Sequence, residues 1–178
     1  MKQEEYDIIR RIQQGHINDF GHLVKRHQAA VISLLYQMLG RAEEAEEVAQ
    51  DVFVKAFENI GAFNFKSKFF SWVYRIAINT AISYRQKEQR FQRPDYMPEQ
   101  GINATENTVL ENERTRYVKQ AIDQLKEKYR TVIILSYFEQ LSYAEIAEVL
   151  DITEKKVKSR LFDARKLLHA KLVHSGIF

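Results

Sequence analysis

The chain of 178 residues contains no cysteine, only two prolines and only six glycines. The absence of cysteine excludes disulfide scaffolds, cysteine-ligated zinc or iron–sulfur sites, and thiol catalysis. The scarcity of proline and glycine argues against collagen-like chains and turn-dense all-β folds. No apolar run approaches the roughly 18 residues that a membrane-spanning helix needs, and the first residues form no signal-peptide core. These absences predict a cytoplasmic location.

The net charge of +3 conceals an uneven distribution of charge along the chain. Residues 59–93 carry seven basic side chains and one acidic side chain, as do residues 155–178, so each block has a net charge of +6. Residues 1–58, 94–124 and 125–154 each have a net charge of −3. Two basic blocks in an otherwise acidic chain indicate two contacts with one polyanion, although two solvated basic surfaces are an alternative.

Hydrophobic residues recur at the spacing of a helix face through most of the sequence, and no segment alternates as a strand does. The periodicity is lost where both prolines occur. The sequence therefore predicts an all-α fold of two small helical domains, residues 1–87 and 110–178, joined by a flexible linker over residues 88–109. Within the first domain, Asn18 or Asp19 is expected to cap the second helix, and Gly40 to end it in the left-handed conformation.

Residues 141–168 carry the pattern of a helix-turn-helix. Ser142 and Glu145 form a capping box that begins a short helix, and Thr153 can cap a second one. Asp151 lies in the turn between them, where the left-handed conformation that Asp tolerates is expected. The second helix is expected to bury Val157, Leu161, Ala164 and Leu168 and to expose Lys155, Lys156, Lys158, Ser159, Phe162 and Arg165.

Such a geometry inserts the second helix into the major groove of duplex DNA. Its lysines and arginine would neutralise phosphates and donate to guanine edges, while Ser159 would bond to a base or a phosphate. Phe162 could contact a thymine methyl group. An ordinary helical hairpin with a solvated basic face is the alternative interpretation.

The first basic block is rich in aromatic rings as well as in charge. Its rings are Phe63, Phe65, Phe69, Phe70, Trp72, Tyr74 and Tyr84, and its interleaved cations are Lys66, Lys68, Arg75, Arg85 and Lys87. Single-stranded nucleic acid requires both cations along its backbone and rings on which its bases stack. Phe69 and Trp72 lie on the apolar face and are expected in the core, whereas Phe65, Phe70 and Tyr74 are expected to be exposed.

A third element is an acidic helix that presents Glu43, Glu44, Glu46, Glu47 and Asp51 beside Gln50. Like charges four residues apart destabilise a helix by about 0.2–0.5 kcal/mol per pair. A binding partner would compensate for this repulsion, and a face that is merely solvated is the alternative.

In this order and at this spacing, the elements resemble the group IV, or extracytoplasmic-function (ECF), sigma factors of bacterial RNA polymerase. The resemblance covers about residues 16–90 and 110–172. Sigma region 2 is matched by Asp19-Phe20-x-x-Leu23, by Ala45-Glu46-Glu47-Val48-Ala49-Gln50-Asp51-Val52-Phe53, and by Phe69-Phe70-Ser71-Trp72-Val73-Tyr74-Arg75-Ile76-Ala77-x-Asn79. Sigma region 4 is matched by Tyr129-Arg130-x-Val132, Leu141-Ser142-Tyr143-x-Glu145-Ile146-Ala147 and Val157-Lys158-Ser159-Arg160-Leu161-x-x-Ala164-Arg165.

The resemblance implies a promoter-recognition subunit with no catalytic residue, metal, cofactor or small-molecule substrate. It assigns docking on the clamp helices of the largest subunit of core RNA polymerase to Glu46, Glu47, Gln50, Asp51 and Phe53. It assigns the non-template strand of a melted −10 element to Lys66, Lys68, Phe70, Tyr74, Arg75, Asn79, Ser83, Arg85 and Lys87. It assigns the −35 duplex to Lys155, Lys156, Lys158, Ser159, Arg160, Phe162 and Arg165. Core polymerase and promoter DNA are thus the implied partners, and an anti-sigma factor is a further candidate.

The chain departs from the family pattern at several positions of these surfaces. Ser83 stands where the family usually has Asp, and Leu125-Lys126 replaces a common Leu-Pro. Glu154-Lys155-Lys156-Val157 replaces a common Glu-Gly-Thr-Val, and Phe162-Asp163 stands where a basic residue commonly precedes Ala-Arg. An acidic residue on a DNA-facing helix repels phosphate or accepts from a cytosine amine. The −35 preference therefore does not transfer from a relative.

Two other functional classes remain as alternatives. A helix-turn-helix activator that binds duplex DNA unaided is the nearest, but the acidic helix and the aromatic basic block argue against it. An enzyme is disfavoured because the five histidines form no H-E-x-x-H motif and the chain has no P-loop or G-x-S-x-G motif. His27 lies on the apolar side of its helix and is expected in the core.

Overall fold

Eight α-helices form most of the structure over residues 2–91 and 106–174, the part of the chain that the computed structural model describes. No β-strand lies within these residues, so the all-α prediction is confirmed. The helices are α1 (Lys2–Gln13), α2 (Phe20–Leu39), α3 (Ala42–Asn59), α4 (Phe69–Phe91), α5 (Glu106–Asp123), α6 (Glu127–Ile133), α7 (Tyr143–Leu150) and α8 (Glu154–His174). We refer to α1–α4 as the N-terminal half and to α5–α8 as the C-terminal half.

The described helices enter both ends of the predicted linker. Helix α4 continues to Phe91 and α5 begins at Glu106, whereas the linker was expected over 88–109. The residues between these two helices lie outside the described part of the chain. Helix α6 is followed directly by a π-helical turn over Ile134–Phe138.

The ends of α2 show which capping predictions hold. Gly40 ends the helix at φ 87°, in the left-handed region that glycine enters without steric cost, as predicted. Asp19 precedes the helix but its side chain makes no capping hydrogen bond, so that prediction is wrong. An N-cap side chain reaches its amide from extended backbone, whereas Asp19 has helical angles at the end of a 3₁₀ turn. Its carboxylate instead pairs with Arg11 at 2.9 Å.

The core of the N-terminal half lies between α2, α3 and α4, with α1 packed on the outside of α2. Helical spacing places its buried apolar side chains on facing stripes: Leu23, Val31, Leu34, Leu35, Val48, Val52, Phe69, Val73 and Ala77. His27 is also buried, as predicted, with its Nε2 atom 2.7 Å from the Glu5 carboxylate and its ring 5.2 Å from that of Phe69. This pair ties α1 to α2.

The two halves share one continuous apolar cluster rather than two separate cores. Helix α4 packs on α7, and α2 contacts the π-helical turn. Arg130 of α6 is 1% exposed and donates to the carbonyl oxygen of Met38, near the end of α2. Arg85 of α4 donates to the same carbonyl at 3.2 Å. A helix leaves its last carbonyls without intrahelical donors, and these two guanidinium groups supply them.

The Asp151 backbone gives a test of the turn between α7 and α8. Asp151 has φ 55° and ψ 49°, which costs a residue with a Cβ atom about 1–2 kcal/mol. Asp151→Ala should therefore lower the free energy of unfolding by about 1 kcal/mol relative to Asp151→Gly. Thermal unfolding followed by circular dichroism measures the difference. Both variants lack the carboxylate, so equal midpoints would contradict a backbone origin.

Candidate nucleic-acid interface

The helix-turn-helix has the caps that the sequence predicts. The Ser142 hydroxyl accepts from the Glu145 amide at 3.3 Å, and the Glu145 carboxylate accepts from the Ser142 amide at 3.1 Å. Asp151 ends α7 in the left-handed conformation. The Thr153 hydroxyl then accepts from the Lys156 amide at 3.3 Å and begins α8. These local bonds set where each helix starts and stops, and so which face α8 exposes.

Helix α8 exposes a basic face along its first four turns. Val157, Leu161 and Ala164 are buried against α6 and α7, as predicted, and Leu168 is half-buried. Phe162 is 68% exposed on the opposite side, which is unusual for an unpartnered aromatic ring. Of the seven residues assigned to −35 DNA, six are exposed and Arg160 is half-buried: Lys155, Lys156, Lys158, Ser159, Arg160, Phe162 and Arg165.

Two of these cations are already oriented by aromatic neighbours. The Arg165 Nε atom donates to the Tyr137 hydroxyl at 2.8 Å, and its guanidinium carbon lies 5.7 Å from the centre of that ring. The Lys158 ammonium lies 6.0 Å from the centre of the Tyr143 ring. Hydrogen bonds that Arg165 donates to Tyr143 and then to Tyr137 raise its pKa above the ordinary value. The sequence pattern did not identify Tyr137 as part of this surface.

The aromatic residues of the first basic block are less exposed than predicted. Tyr74 is only 2% exposed, so the prediction of an exposed ring is wrong. Its hydroxyl donates to Glu139 of the C-terminal half at 2.8 Å and lies 3.1 Å from the carbonyl oxygen of Ala30. Burial, and then the Glu139 carboxylate, raise the pKa of Tyr74, which keeps the hydroxyl a donor. Phe70 is half-buried and stacks on Tyr74 with ring centres 4.0 Å apart.

Phe65, the third ring expected to be exposed, is also half-buried. Its backbone takes a φ of 61°, which turns the side chain toward the body of the domain. There it meets Phe63 and Tyr6, with ring centres 5.1 and 5.4 Å away, and the Arg10 guanidinium at 5.2 Å. Among the two rings assigned to the core, Phe69 is fully buried and Trp72 is half-buried.

A cavity of about 410 Å³ brings Asn79 and Ser83 together beside Trp72. Both polar side chains are exposed on α4, one turn apart. The opposite wall comes from α3, which contributes Lys55 and Asn59. The Lys55 ammonium donates to Thr80 Oγ1 of the facing helix at 3.2 Å, and both residues line the cavity. Sequence reasoning missed Lys55, because only the packing of α3 on α4 reveals that it shares a wall with Asn79.

The cations of this block divide into two groups. Lys66 and Lys87 are exposed, whereas Lys68, Arg75 and Arg85 contact the C-terminal half. The Lys68 ammonium donates to Glu145 at 3.1 Å, and its amide donates to Glu148 at 2.6 Å. Arg75 donates to the carbonyl oxygens of Glu148 and Val149 at 2.8 and 3.1 Å. The nine residues assigned to the −10 element therefore do not form one open surface in this structure.

Four of the five residues assigned to polymerase docking form an exposed acidic face on α3: Glu46, Glu47, Gln50 and Asp51. Phe53 is different, because it is 8% exposed and packs in the core, so it cannot lie on this face. It shares the buried face of the helix with Ala49, four residues before it, and Ala56, three residues after it. At the start of the helix Glu44 pairs with Arg41. Burial, only partly offset by the Arg41 charge, raises the pKa of Glu44.

Neither a membrane-spanning helix nor a cluster of metal ligands is found among the described residues. No described helix is long and apolar enough to cross a membrane. Within the same residues, no three histidine, aspartate or glutamate side chains lie close enough to hold a metal ion.

The geometry is that of a helix-turn-helix protein with a second helical unit, and known proteins of the same kind match it. Residues 23–91 match the family Sigma-70 region 2, and residues 115–168 match Sigma-70, region 4. The chain is 33% identical to the ECF RNA polymerase sigma factor SigW of Bacillus subtilis, over 92% of this chain and 94% of that protein. It is 35% identical to the ECF RNA polymerase sigma-E factor of Haemophilus influenzae, over 93% of each. The chain therefore belongs to the ECF family of RNA polymerase sigma factors.

Solved structures of similar proteins agree in fold. The structure of CnrH in complex with the cytosolic domain of CnrY gives a TM-score of 0.67 at 26% identity, and covers 94% of this chain and 96% of that one. The sigma factor RpoE in complex with the anti-sigma factor NepR from Bartonella quintana gives 0.62 at 22% identity, and covers 86% and 96%. The prediction of a sigma-factor fold is confirmed.

The Glu145 carboxylate makes the stability of the folded state depend on pH. The hydrogen bond from Lys68, and then those from Ser142, hold the pKa of Glu145 below its ordinary value of 4.5. A lowered pKa stabilises the folded state above pH 4.5, and the stabilisation is lost as the pH falls through the folded-state value. Glu145→Gln keeps a capping side chain but removes the charge. The wild-type advantage in unfolding midpoint should be present at pH 7 and shrink toward pH 3, and a constant difference would contradict it.

Proposed function

We propose that the chain binds core RNA polymerase and directs initiation at promoters that carry a −35 duplex element and a melted −10 element. It acts in the cytoplasm as a binding subunit without catalytic activity of its own. The observation that carries this proposal is the exposed basic face of α8 after a properly capped turn. Family membership supplies the polymerase as partner, and the resemblance adds an anti-sigma factor as an expected inhibitor.

The −35 duplex is the ligand proposed for α8. Its exposed lysines and Arg165 lie on one side of a rigid helix, as insertion into a major groove requires. The bond between Tyr137 and Arg165 holds the guanidinium in place before DNA arrives, which lowers the entropy lost on binding. Phe162 is positioned to contact a thymine methyl group, and Asp163 beside it favours a cytosine amine over a phosphate.

The cavity beside Asn79 is proposed to hold a base that leaves the stack of the melted −10 strand. Unstacking a base costs a few kcal/mol, and contacts in a pocket offset that cost. Trp72 offers an aromatic wall, while Asn79, Ser83 and Lys55 offer hydrogen-bonding groups. Because Lys55 can only donate, we expect the pocket to favour a base edge with an acceptor facing α3.

The acidic face of α3 is proposed to dock on the polymerase clamp helices. Its three exposed carboxylates, Glu46, Glu47 and Asp51, repel one another, and a basic partner surface would remove that repulsion. The buried Phe53 would support the helix from behind without touching the partner.

Initiation by core polymerase separates this proposal from a helix-turn-helix activator that binds duplex DNA alone. We expect the purified chain to bind core polymerase in a pull-down and to direct transcripts with defined starts from a promoter library. Duplex binding without polymerase binding would favour the activator. Failure to direct initiation at any promoter would contradict the proposal.

Substitutions on α8 should weaken duplex binding. Lys158→Ala and Arg165→Ala should each cost about 1–3 kcal/mol, or roughly 5-fold to 150-fold in affinity for the −35 duplex. Fluorescence anisotropy with a duplex taken from a mapped promoter measures the loss. Lys25→Ala, which removes an exposed charge from α2, is the matched control and should bind as the wild type does. Equal losses in the control would show that only net charge matters.

Asn79→Ala should weaken capture of the melted −10 strand and leave the −35 duplex affinity unchanged. The expected loss is about 1–3 kcal/mol, because one hydrogen-bonding partner of the flipped base is removed. Open-complex formation on a mapped promoter, followed by permanganate footprinting, reports it. Gln28→Ala on the exposed side of α2 is the matched control. Unimpaired opening by Asn79→Ala would contradict the assignment of the cavity.

Charge reversal on α3 should abolish polymerase binding. The double variant Glu46→Lys, Glu47→Lys should bind core polymerase at least tenfold more weakly, since it turns attraction into repulsion. Glu58 is exposed at the other end of the same helix, and the control variant Glu58→Lys should bind core polymerase normally. Surface plasmon resonance at two salt concentrations measures both. Normal binding by the double variant would show that the acidic face is only solvated.

A further inference from the structure

Part of the wall of the cavity beside Asn79 is not helical. We call residues 60–68, which join α3 to α4, the α3–α4 loop. Ala62 of this loop lines the cavity together with Trp72. The buried ring of Phe63 packs edge-on against that of Trp72, with ring centres 5.5 Å apart. The position of the loop therefore sets the shape of this side of the cavity.

Helix α1 holds the backbone on both sides of Ala62. The side-chain amide nitrogen of Gln13, the last residue of α1, donates to the carbonyl oxygen of Ile60 at 2.8 Å and to that of Phe63 at 2.9 Å. A primary amide has two N–H donors, and each of them has one of these carbonyls as its acceptor. One side chain of α1 thus fixes the short turn that carries the residue lining the cavity.

Further contacts from the same face of α1 reach the rest of the loop. Tyr6 and Arg10 precede Gln13 by seven and three residues, which places all three on one side of the helix. The Tyr6 ring lies 5.4 Å from that of Phe65, and the Tyr6 hydroxyl lies 3.4 Å from the carbonyl oxygen of Ser67. The Arg10 guanidinium lies 5.2 Å from the centre of the Phe65 ring. One face of α1 therefore contacts the loop along most of its length.

The backbone of Phe65 indicates that the loop depends on these contacts. Its φ of 61° lies in the left-handed region, which a residue with a bulky side chain rarely adopts. Such a conformation persists only where the surrounding structure holds it, and it is found most often at functional sites. Here the surroundings are the rings of Tyr6 and Phe63 and the Arg10 guanidinium. Without α1, the loop should leave this conformation.

Helix α1 is itself fixed to the core, so it is a rigid support for the loop. Ile9 and Ile12 are buried on its inner side. The Glu5 carboxylate lies 2.7 Å from Nε2 of His27 on α2, which packs on both α3 and α4. Support therefore passes from the core through α1 to the Ala62 wall of the cavity.

We propose that Gln13 is a positioning residue for capture of the −10 strand, and that its two bonds to the α3–α4 loop keep the Ala62 wall in the shape that receives the base. It acts through the loop and not by contact with DNA. The proposal rests on the proposed function for the identity of the ligand, whereas the effect of Gln13 on the loop does not. If the wall moves, the apparent affinity for the base falls by the fraction of molecules whose loop is correctly placed.

The fluorescence of Trp72, the single tryptophan of the chain, reports on the loop in the free full-length protein. Gln13→Glu keeps the shape of the side chain but puts an acceptor where the donor was. It should raise the rate constant for acrylamide quenching of Trp72 about twofold, because the loss of two hydrogen bonds lets the loop move. The matched control Gln14→Glu makes the same change at the next residue, which is also exposed, and should quench as the wild type does. Equal quenching of the two variants would overturn the proposal.

A binding measurement with the holoenzyme tests the consequence for the strand. The probe is a fluorescein-labelled single strand that carries the non-template −10 element of a mapped promoter, read by anisotropy. Gln13→Glu should bind it about tenfold more weakly than Gln14→Glu does. Gln13→Lys restores a donor, and its affinity should return to within about threefold of that of Gln14→Lys.

The −35 duplex separates positioning from a general loss of folding. All four variants should bind this duplex as the wild type does, because the α3–α4 loop takes no part in that contact. A tenfold loss for both DNA elements, or a loss of strand affinity that Gln13→Lys does not recover, would contradict positioning by the Gln13 donor.

Tyr6→Leu provides a second test if the Gln13 variants do not keep their helical circular dichroism spectrum. It removes the ring contacts to Phe63 and Phe65, and should weaken strand binding about threefold and raise the quenching of Trp72. Wild-type values in both measurements would overturn the proposal. If the wild-type holoenzyme captures no −10 strand, the proposed function fails, and the quenching measurement alone decides whether Gln13 positions the loop.

Discussion

Arginine side chains that bind the C-terminal carbonyls of helices hold the two halves of this protein together. Arg130 of α6 donates to Met38 near the end of α2, and Arg75 of α4 donates to the last carbonyls of α7. The last carbonyls of a helix lack intrahelical donors, and these guanidinium groups supply them. The relation of α4 to α7, and with it the accessibility of the basic surface, depends on these bonds.

The two surfaces proposed to bind DNA differ in exposure. The basic face of α8 points away from the N-terminal half and is exposed from Lys155 to Arg165. The surface around Tyr74 is covered, although the cavity beside Asn79 remains open. Of the two surfaces, the basic face of α8 is thus the more accessible one in this structure.

Features of the structure that depend only on neighbouring residues were predicted correctly from the sequence. The capping box of Ser142, the left-handed Asp151 and the outward face of α8 follow from residues within one or two turns of each other. Tyr74 shows where such reasoning fails: its position on α4 allows either exposure or burial, and a partner from the other half decides. Lys55 is similar, since only the packing of α3 on α4 shows that it lines a cavity, whereas the periodicity of α3 already places Phe53 on the buried face.

Core polymerase is proposed to bind the acidic face of α3 of a protein whose two halves are packed together. Hydrogen–deuterium exchange of the full chain, free and with core polymerase, tests both parts in one measurement. Peptides that cover residues 46–51 should exchange more slowly in the complex, and the peptide that contains the Lys68 amide, which now donates to Glu148, should exchange faster. Unchanged exchange at both places, in a complex shown to have formed, would contradict the account.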